Sequence, residues 1–184
     1  AEGQTALAWA DMSTGDFVVQ LCLEEGVDTM LARVDPAELI FPQDRDLPFD
    51  QTLVSMCLTP QAPSLFHSAR ARQALQDFYA VASLDGMGDF NRAMVSAAGA
   101  LLAYIETTQI GNMPRLRTLR QITESGLLEI DAATRRSLEL TRTLTGERHG
   151  SLLNAVDRTL TAAGGRLLGE RLAAPLADVS AINA

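Results

Sequence analysis

The sequence contains no lysine, and all 15 of its basic residues are arginine. A phosphate-binding loop of the G-x-x-x-x-G-K-[ST] type requires a lysine, so the chain cannot carry that kind of nucleotide site. Long apolar runs are also missing, since none approaches the roughly 18–20 residues that cross a bilayer. No basic segment followed by an apolar one opens the chain, so no signal peptide is predicted. We expect a cytoplasmic protein and, because the initiator methionine is missing, a chain that begins partway through a longer one.

Cysteine and histidine are equally scarce. Cys22 and Cys57 both lie in apolar runs, where a free cysteine usually packs as a small hydrophobic side chain. Without a secretory signal, we expect both thiols to be reduced. The two histidines, His67 and His149, are far apart. Neither has a cysteine or a second histidine at ligand spacing, so no zinc site is predicted.

Charge is distributed unevenly along the chain. Residues 1–108 hold five arginines and fifteen acidic residues, whereas residues 109–184 hold ten arginines and eight acidic residues. An acidic surface repels phosphate backbones, so the first part is not expected to bind nucleic acid by itself. This shift in composition predicts a first domain over 1–108, a linker over 109–130 and a second domain over 131–184.

The hydrophobic pattern of the first part predicts an α/β domain in which helices flank a mixed sheet, with the order β-β-α-β-β-α-α. Two apolar runs with Gly15 between them are typical of a hairpin, because glycine supplies the positive φ of a tight turn. Asp35-Pro36 ends the first helix, since the residue before proline disfavours α geometry. The predicted elements are strands over 5–11, 16–23, 39–41 and 53–58, and helices over 24–34, 64–81 and 90–106.

Beyond Gly111, the sequence predicts an extended, arginine-rich segment held down by Leu116, Leu119 and Ile122. Short helices follow, and each begins after a residue whose side chain is favoured at an N-cap. The predicted caps are Asp131 for a helix over 133–145 that Gly146 ends, Ser151 for a helix to about Arg158, and Thr161 for a helix ending before Pro175.

These helices are too few to enclose a core, so we predict an incomplete all-α segment. Gly164 and Gly165 each cost roughly 1 kcal/mol relative to alanine inside a helix, and close packing against another backbone is the expected compensation. We expect residues 112–184 to be mobile, or to be buried by self-association or by folding back on the first domain. The leucines that need such partners are Leu138, Leu144, Leu152, Leu153, Leu167 and Leu168.

Several residues resemble functional motifs but fit structural roles better. Ser13 and Ser151 have no neighbouring base pattern, so no serine nucleophile is predicted. Trp9 lies in an alternating strand, which favours a place in the core. The run Gly86-Met-Gly-Asp resembles a phosphate loop only in its glycines, and we interpret it as a turn between two helices.

The arginines of the second part are the remaining candidates. Arg115, Arg117 and Arg120 could project guanidinium groups towards phosphate or towards acidic neighbours. We favour a solvated linker that pairs with the acidic first domain. A further set, expected at the surface or in contacts between domains, comprises Arg135, Arg136 and Arg142.

Runs along nearly the whole chain resemble the MutS family of bacterial DNA mismatch-repair proteins. The second part is similar to the first segment of that family's core domain, and the first part is similar to its connector domain. The runs of the second part are Asp131-Ala-Ala-Thr-Arg-Arg-Ser-Leu-Glu-Leu, Gly150-Ser-Leu-Leu-Asn-Ala-Val-Asp-Arg-Thr, Thr161-Ala-Ala-Gly-Gly-Arg-Leu-Leu and Ala174-Pro-Leu-Ala-Asp. Those of the first part are Leu7-Ala-Trp-Ala-Asp-Met-Ser-Thr-Gly-Asp-Phe, Pro36-Ala-Glu-Leu and Ala97-Ala-Gly-Ala-Leu-Leu-Ala-Tyr.

The resemblance implies an RNase H-like connector followed by the start of a helical core, or lever, domain. It implies a homodimeric parent protein that recognises mismatched DNA, uses ATP and magnesium, and recruits MutL. The mismatch-reading, clamp and ATPase parts of the family are absent from this sequence. We therefore expect a non-catalytic chain without a cofactor of its own, which couples the DNA-reading and ATPase parts and contributes to MutL docking.

Two alternatives stay open. An RNase H-like fold invites a metal-dependent nuclease hypothesis, in which Asp11, Asp16 and Glu24 would have to converge on two metal ions. The favoured interpretation is that Asp11 and Asp16 frame a turn, where aspartate bonds to nearby backbone. The chain could also be a passive spacer between domains. We assign no catalytic, cofactor or metal residue, and the partner-binding candidates are the acidic loop 44–50 and the exposed ends of the connector helices.

Overall fold

A computed structural model describes residues 4–49, 56–111, 113–122, 127–128 and 130–183 of the chain. The residues group into two compact units. The first, here called the sheet unit, comprises Ala1–Glu25 and Pro36–Thr123. The second, here called the helical unit, comprises Gly26–Asp35 and Glu124–Ala184.

Five strands and seven helices are seen in the described part of the chain. No helix in these residues combines the length and the apolar character that a membrane crossing requires. The strands are β1 Gln4–Ala10, β2 Phe17–Leu23, β3 Glu38–Pro42, β4 Cys57–Gln61 and β5 Arg120–Ile122. The helices are α1 Val27–Val34, α2 Ser68–Tyr79, α3 Arg92–Thr108, α4 Ala132–Ser137, α5 Leu152–Val156, α6 Ala162–Ala173 and α7 Val179–Ile182.

Strands β1 and β2 form the antiparallel hairpin that the sequence predicted, with Trp9 opposite Val18. In the turn, Gly15 adopts a φ of 78°, a left-handed value that favours glycine. The carbonyl of Asp11 accepts a hydrogen bond from the Gly15 amide at 2.8 Å. Phe17 and Val18 are buried, so β2 forms an inner strand and the hairpin supplies one wall of the core.

The strands lie in two sheets, whereas the sequence predicted one. Strand β5 pairs in parallel with β2, which gives a mixed sheet of order β1-β2-β5. Strands β3 and β4 form a separate parallel pair. The predicted strand over 53–58 falls partly outside the described residues, and β4 begins at Cys57. The segment 109–130, which we predicted as a linker, thus contributes a strand to the sheet unit, and its Leu119 is 1% exposed.

Helix α3 covers the mixed sheet, and α2 packs on α3. Asn91 caps α3, because its side-chain oxygen accepts a hydrogen bond from the Met94 amide at 2.9 Å. Helix α3 packs on β1, on β2 and against α2. At the crossing of the two helices, a Cβ atom placed on Gly99 would lie 2.6 Å from the Cα atom of Ala71. The predicted helix over 64–81 is present, although a 3₁₀ turn over Pro63–Phe66 precedes α2.

The N-caps predicted for the second part are confirmed. The side chain of Asp131 accepts from the Thr134 amide at 2.9 Å, and that of Thr161 accepts from the Gly164 amide at 3.0 Å. Ser151, which is 1% exposed, caps α5 in the same way. Local side-chain bonding of this kind is visible in the sequence, because it needs no distant partner.

The helix predicted over 133–145 is much shorter, since α4 ends at Ser137. Glu139 adopts a φ of 47°, which stops the helical path. Its side chain accepts from the Leu144 amide at 2.7 Å, and its carbonyl accepts from the Leu152 amide at 3.0 Å. These bonds hold residues 138–151 in turns, so Gly146 lies in a turn rather than at a helix end.

Helix α1 belongs to the helical unit, although it follows β2 in the sequence. It packs against α4 and α6, and its Met30 and Leu31 are buried. Asp35 caps its C-terminus with a φ of 47°. The sequence pattern predicted this helix as part of the α/β domain, whereas in the structure it packs in the helical unit. The domain bounds predicted at 1–108, 109–130 and 131–184 stay predictions.

Gly164 and Gly165 are packed closely, but against side chains rather than another backbone. A Cβ atom on Gly164 would lie 3.1 Å from the Thr161 hydroxyl oxygen, and one on Gly165 would lie 3.2 Å from that of Thr159. Of the six leucines predicted to lack partners, Leu153 is buried at 7% exposure and Leu168 is half-buried. The exposed ones are Leu138, Leu144, Leu152 and Leu167.

Candidate functional site

The loop between β1 and β2 uses its carboxylates to hold its own shape. One Asp11 oxygen accepts hydrogen bonds from the Ser13 amide at 2.7 Å and from the Thr14 amide at 3.2 Å. The Ser13 hydroxyl donates to the same oxygen, and the Thr14 hydroxyl donates to Asp16 at 3.0 Å. This geometry supports the turn interpretation of Asp11 and Asp16.

The nuclease hypothesis required Asp11, Asp16 and Glu24 to converge. Glu24 is exposed in a 3₁₀ turn after β2. The Oδ1 atom of Asp16 lies 3.0 Å from the Nη1 atom of Arg117, so the carboxylate of Asp16 pairs with a guanidinium group. Within the described ranges, no group of three or more histidine, cysteine or acidic residues is placed to hold a metal ion.

Residues 113–122 are fixed to the hairpin loop and to α2. The Arg117 amide donates to the Gly15 carbonyl at 2.7 Å, and the Tyr79 hydroxyl donates to the Arg117 carbonyl at 2.7 Å. A Cβ atom on Gly15 would overlap the Arg115 carbonyl oxygen. We call Gly15, Asp16, Tyr79, Arg117 and Leu119 the exit-strand anchor, because they hold the strand that precedes residue 124.

The hydroxyl of Tyr79 is kept in its donating form. Burial raises the pKa of Tyr79 to about 12, and this outweighs the opposing effect of a hydrogen bond with the backbone of Leu119. A phenol with this pKa is protonated at all physiological pH values. The contact between Tyr79 and the Arg117 carbonyl therefore does not switch with pH in a cell.

The arginine cluster at 115, 117 and 120 is exposed, as predicted for a solvated segment. Arg117 pairs with Asp16, and both belong to the sheet unit. An exposed pair of this kind contributes roughly 0–1 kcal/mol, so it orients the segment more than it stabilises it. A small cavity beside the cluster is lined by Asp16, Phe17, Val18, Arg117, Thr118 and Arg120.

In the helical unit, Arg142 ties the turn after α4 to α1. Its Nε atom donates to Asp35 at 2.9 Å, and an Nη atom donates to the Gly146 carbonyl at 3.2 Å. The hydrogen bond to Asp35 is the main cause that raises the pKa of Arg142. Arg136 is exposed, as predicted.

Arg135 departs from the prediction, which placed it at the surface or between domains. Its exposed fraction is 6%, and its Nε and Nη1 atoms are buried without a hydrogen-bond partner among the described residues. Burial is the main cause that lowers the pKa of this guanidinium, and the nearby charge of Arg33 adds to the effect. Nothing in the local sequence distinguishes Arg135 from the exposed Arg136 beside it.

The other predicted residues occupy ordinary places. His67 and His149 are exposed. Trp9 is half-buried in β1, and the core contacts of this strand come from Ala6, Ala8 and Ala10 instead, so the predicted place of Trp9 in the core is wrong. Both cysteines are free, and Cys22 is buried as predicted, whereas Cys57 is exposed and does not pack as a hydrophobic side chain. The run from Gly86 forms a turn between α2 and α3, as predicted, with the Met87 amide donating to the Leu84 carbonyl at 2.9 Å.

Comparisons with known proteins match both parts of the chain. The family described as MutS domain II matches residues 1–117, and MutS domain III matches residues 133–184. The DNA mismatch repair protein MutS of Cereibacter sphaeroides is 46% identical over 180 residues, which cover 98% of this chain and 20% of that protein. A protein of the same name from Ruegeria pomeroyi is 46% identical over 185 residues, covering 97% of this chain and 21% of its own length.

The matched segments define a connector domain followed by part of a helical core domain. The two family matches follow each other in the order of domains II and III, and the identity to the Cereibacter protein is 46%. The chain therefore belongs to the MutS family. It spans about 20% of the length of the Cereibacter relative.

Proposed function

We propose that this chain is a non-catalytic mechanical module of a mismatch-repair protein in the cytoplasm. It couples a part that reads mismatched DNA to a part that hydrolyses ATP with magnesium, and it contributes a docking surface for MutL. The longer protein works as a homodimer. The nucleotide site of the phosphate-binding-loop type lies outside these 184 residues, because the sequence has no lysine for that loop.

The exit-strand anchor is the observation that carries the coupling proposal. A module that transmits movement needs a stiff connection, since a flexible linker would absorb the displacement. Here the outgoing segment pairs with β2 as β5, and Leu119 is buried in the same core as α3. Hydrogen bonds to Gly15 and Tyr79 fix its backbone at Arg117. A passive spacer has no need for a segment that is held by these contacts.

An RNase H-like arrangement of the sheet unit is part of the proposal. It is supported by a hairpin that a parallel strand extends and that α3 covers, with α2 packed on α3. The absence of catalysis is supported by Asp11 and Asp16, whose oxygens accept hydrogen bonds within the loop. We expect Asp11→Ala to lower the free energy of unfolding by about 1–2 kcal/mol through lost loop hydrogen bonds, measured by urea denaturation.

The same variant tests the nuclease alternative. DNA incubated with magnesium and the wild-type chain should stay intact, and Asp11→Ala should leave that result unchanged. Asp85→Ala is the matched control, since Asp85 is exposed in the same unit and should lose little stability. Magnesium-dependent cleavage by the wild type that Asp11→Ala abolishes would establish a nuclease and remove the non-catalytic proposal.

The docking proposal is tested by titrating the whole chain with purified MutL from the same source, at low and physiological salt. The exposed acidic loop is the first surface to alter, through Asp44→Asn with Asp46→Asn. Asp85→Asn with Asp89→Asn is the matched control, because it removes two exposed charges elsewhere in the sheet unit. Saturable binding that only the loop variant weakens places MutL at the loop. Absence of binding at both salt concentrations would leave the chain as a coupling element or spacer.

A further inference from the structure

The guanidinium of Arg135 is the most unusual polar group in the helical unit. Charged side chains are almost never fully buried unless they are paired, yet Arg135 is 6% exposed. Within the described part of the chain, its Nε and Nη1 atoms have no hydrogen-bond partner. Two buried donors of one charged group are therefore left to be satisfied by something else.

The surroundings of Arg135 make this arrangement costly. Arginine cannot lose its proton in proteins, so the buried group stays charged. Arg33 of α1 is close enough for its positive charge to lower the pKa of Arg135 further, and α1 packs directly on α4. A desolvated guanidinium beside a second positive charge is stabilised by an anion that pairs with it.

We propose that Arg135 binds a carboxylate side chain supplied by a protein segment outside residues 1–184. A carboxylate matches one edge of the planar guanidinium and accepts two hydrogen bonds there, so it would pair with Nη2 and one of the two unsatisfied donors, Nε or Nη1. Because Arg135 is 6% exposed, a single side chain reaches it more readily than a hydrated nucleic-acid backbone. The Cereibacter relative, of which this chain spans 20%, has ample further chain to supply the segment.

One exposed apolar side chain close in sequence fits the same kind of occupant. Leu138, the C-cap of α4, lies three residues beyond Arg135 and is 54% exposed. A segment that combines an apolar side chain with one aspartate or glutamate would cover Leu138 and offset the charge of Arg135, whereas a phosphate backbone would leave Leu138 in water.

The test measures the melting temperature of the full chain in sodium formate, sodium chloride and sodium phosphate at equal ionic strength. Formate is the carboxylate probe. We expect formate to raise the melting temperature of the wild type by about 2–4 °C over chloride, and Arg135→Met to abolish the rise. Arg136→Met should keep it, because Arg136 is the exposed neighbour. In chloride, Arg135→Met should melt no lower than the wild type, since it removes an unpaired buried charge.

Several results would overturn the proposal. These are an equal formate effect in the Arg135→Met and Arg136→Met variants, no formate effect in the wild type, and an effect of phosphate alone. A double-mutant cycle that couples Arg135 to Glu124→Gln or Glu129→Gln would show that the carboxylate is local, which also contradicts it. If Arg135→Met does not fold, ¹⁵N spectra of the arginine Nε groups replace melting. Formate should then shift the Arg135 signal saturably and leave the Arg136 signal in place.

Discussion

At the residue scale, the sheet unit depends on two glycines that other backbones approach closely. Gly99 lies where α3 crosses α2, beside Ala71. Gly15 combines a φ of 78° with contact to the Arg115 carbonyl. The first has ordinary helical geometry, so its requirement is purely one of space. The second needs both the backbone conformation and the space, which makes it the stricter position.

We expect Gly99→Ala to lower the free energy of unfolding by about 1–3 kcal/mol, because the added methyl group would force α2 and α3 apart. Urea denaturation followed by circular dichroism measures this change. Gly86→Ala is the control, since a Cβ atom there has nothing within 4 Å. Equal stability of the two variants would mean that the helices can separate without loss, which contradicts the close crossing.

Tyr79 gives the sheet unit a dependence on alkaline pH. Burial raises the pKa of Tyr79 to about 12 in the folded chain, against an unfolded value of about 10. The raised value means that the protonated form is favoured by folding. Its contribution is therefore fully present below about pH 10 and is lost as the pH rises towards 12.

Ultraviolet titration of a Tyr104→Phe background should show one phenol that ionises near pH 12. In the same background, adding Tyr79→Phe should flatten the fall in stability between about pH 10 and 12. A phenol that ionises near pH 10 in the folded chain would contradict the burial of the Tyr79 hydroxyl. Tyr104 is removed because its hydrogen bond with Glu38 also raises its pKa.

At the scale of elements, β5 is short but has connections on several sides. It pairs with β2 over Arg120–Ile122, and the residues before it are bonded to the hairpin loop and to α2. A strand of three residues is marginal by itself. Its place therefore depends on the exit-strand anchor more than on its own sheet hydrogen bonds.

We expect Gly15→Ala to increase the rate of amide hydrogen exchange in residues 115–122, because the new methyl group displaces the Arg115 carbonyl. Gly111→Ala is the matched control, since Gly111 has a similar φ of +79° but open space around it. Both variants place an alanine at a positive φ, but only Gly15→Ala also brings a methyl group against the Arg115 carbonyl. Faster exchange at 115–122 in both, or in neither, would contradict the anchor.

The sequence predicted elements whose causes are local and missed those whose causes are distant. Asp131, Ser151 and Thr161 act on amides within three residues, so their caps could be predicted. The pairing of β5 with β2 joins positions about a hundred residues apart, and no local pattern encodes it. The burial of Arg135 also depends on α1, which lies in a distant part of the sequence.

At the scale of the whole molecule, the chain leaves the sheet unit after Glu25, returns at Pro36 and leaves again after Thr123. Helix α1 therefore lies between two segments of the sheet unit in the sequence, but it packs within the helical unit. Val27, Met30 and Leu31 form the buried side of this helix. Covering that side requires α4 and α6, which lie more than ninety residues further along the chain.

We expect a chain truncated after Thr123 to keep the mixed sheet and to expose α1. Amides of β1 and β2 should stay protected from hydrogen exchange, whereas those of α1 should exchange as an unfolded segment does. The exposed apolar side should also increase the fluorescence of a hydrophobic dye such as ANS. The full chain with Met30→Ser is the control for loss of α1 packing alone. Undiminished protection of α1 in the truncated chain would contradict its membership of the helical unit.

The place of α1 has a consequence for how such proteins can be recombined. The family segment called MutS domain II covers residues 1–117 and so includes α1, whereas the packing partners of α1 lie within domain III. A chimera that exchanges domain II between two species would carry a foreign helix into the recipient's core domain. We infer that residues 27–35 have to match the recipient's α4 and α6. A chimera should therefore exchange the sheet unit in two pieces, before and after α1, and should keep the recipient's own α1.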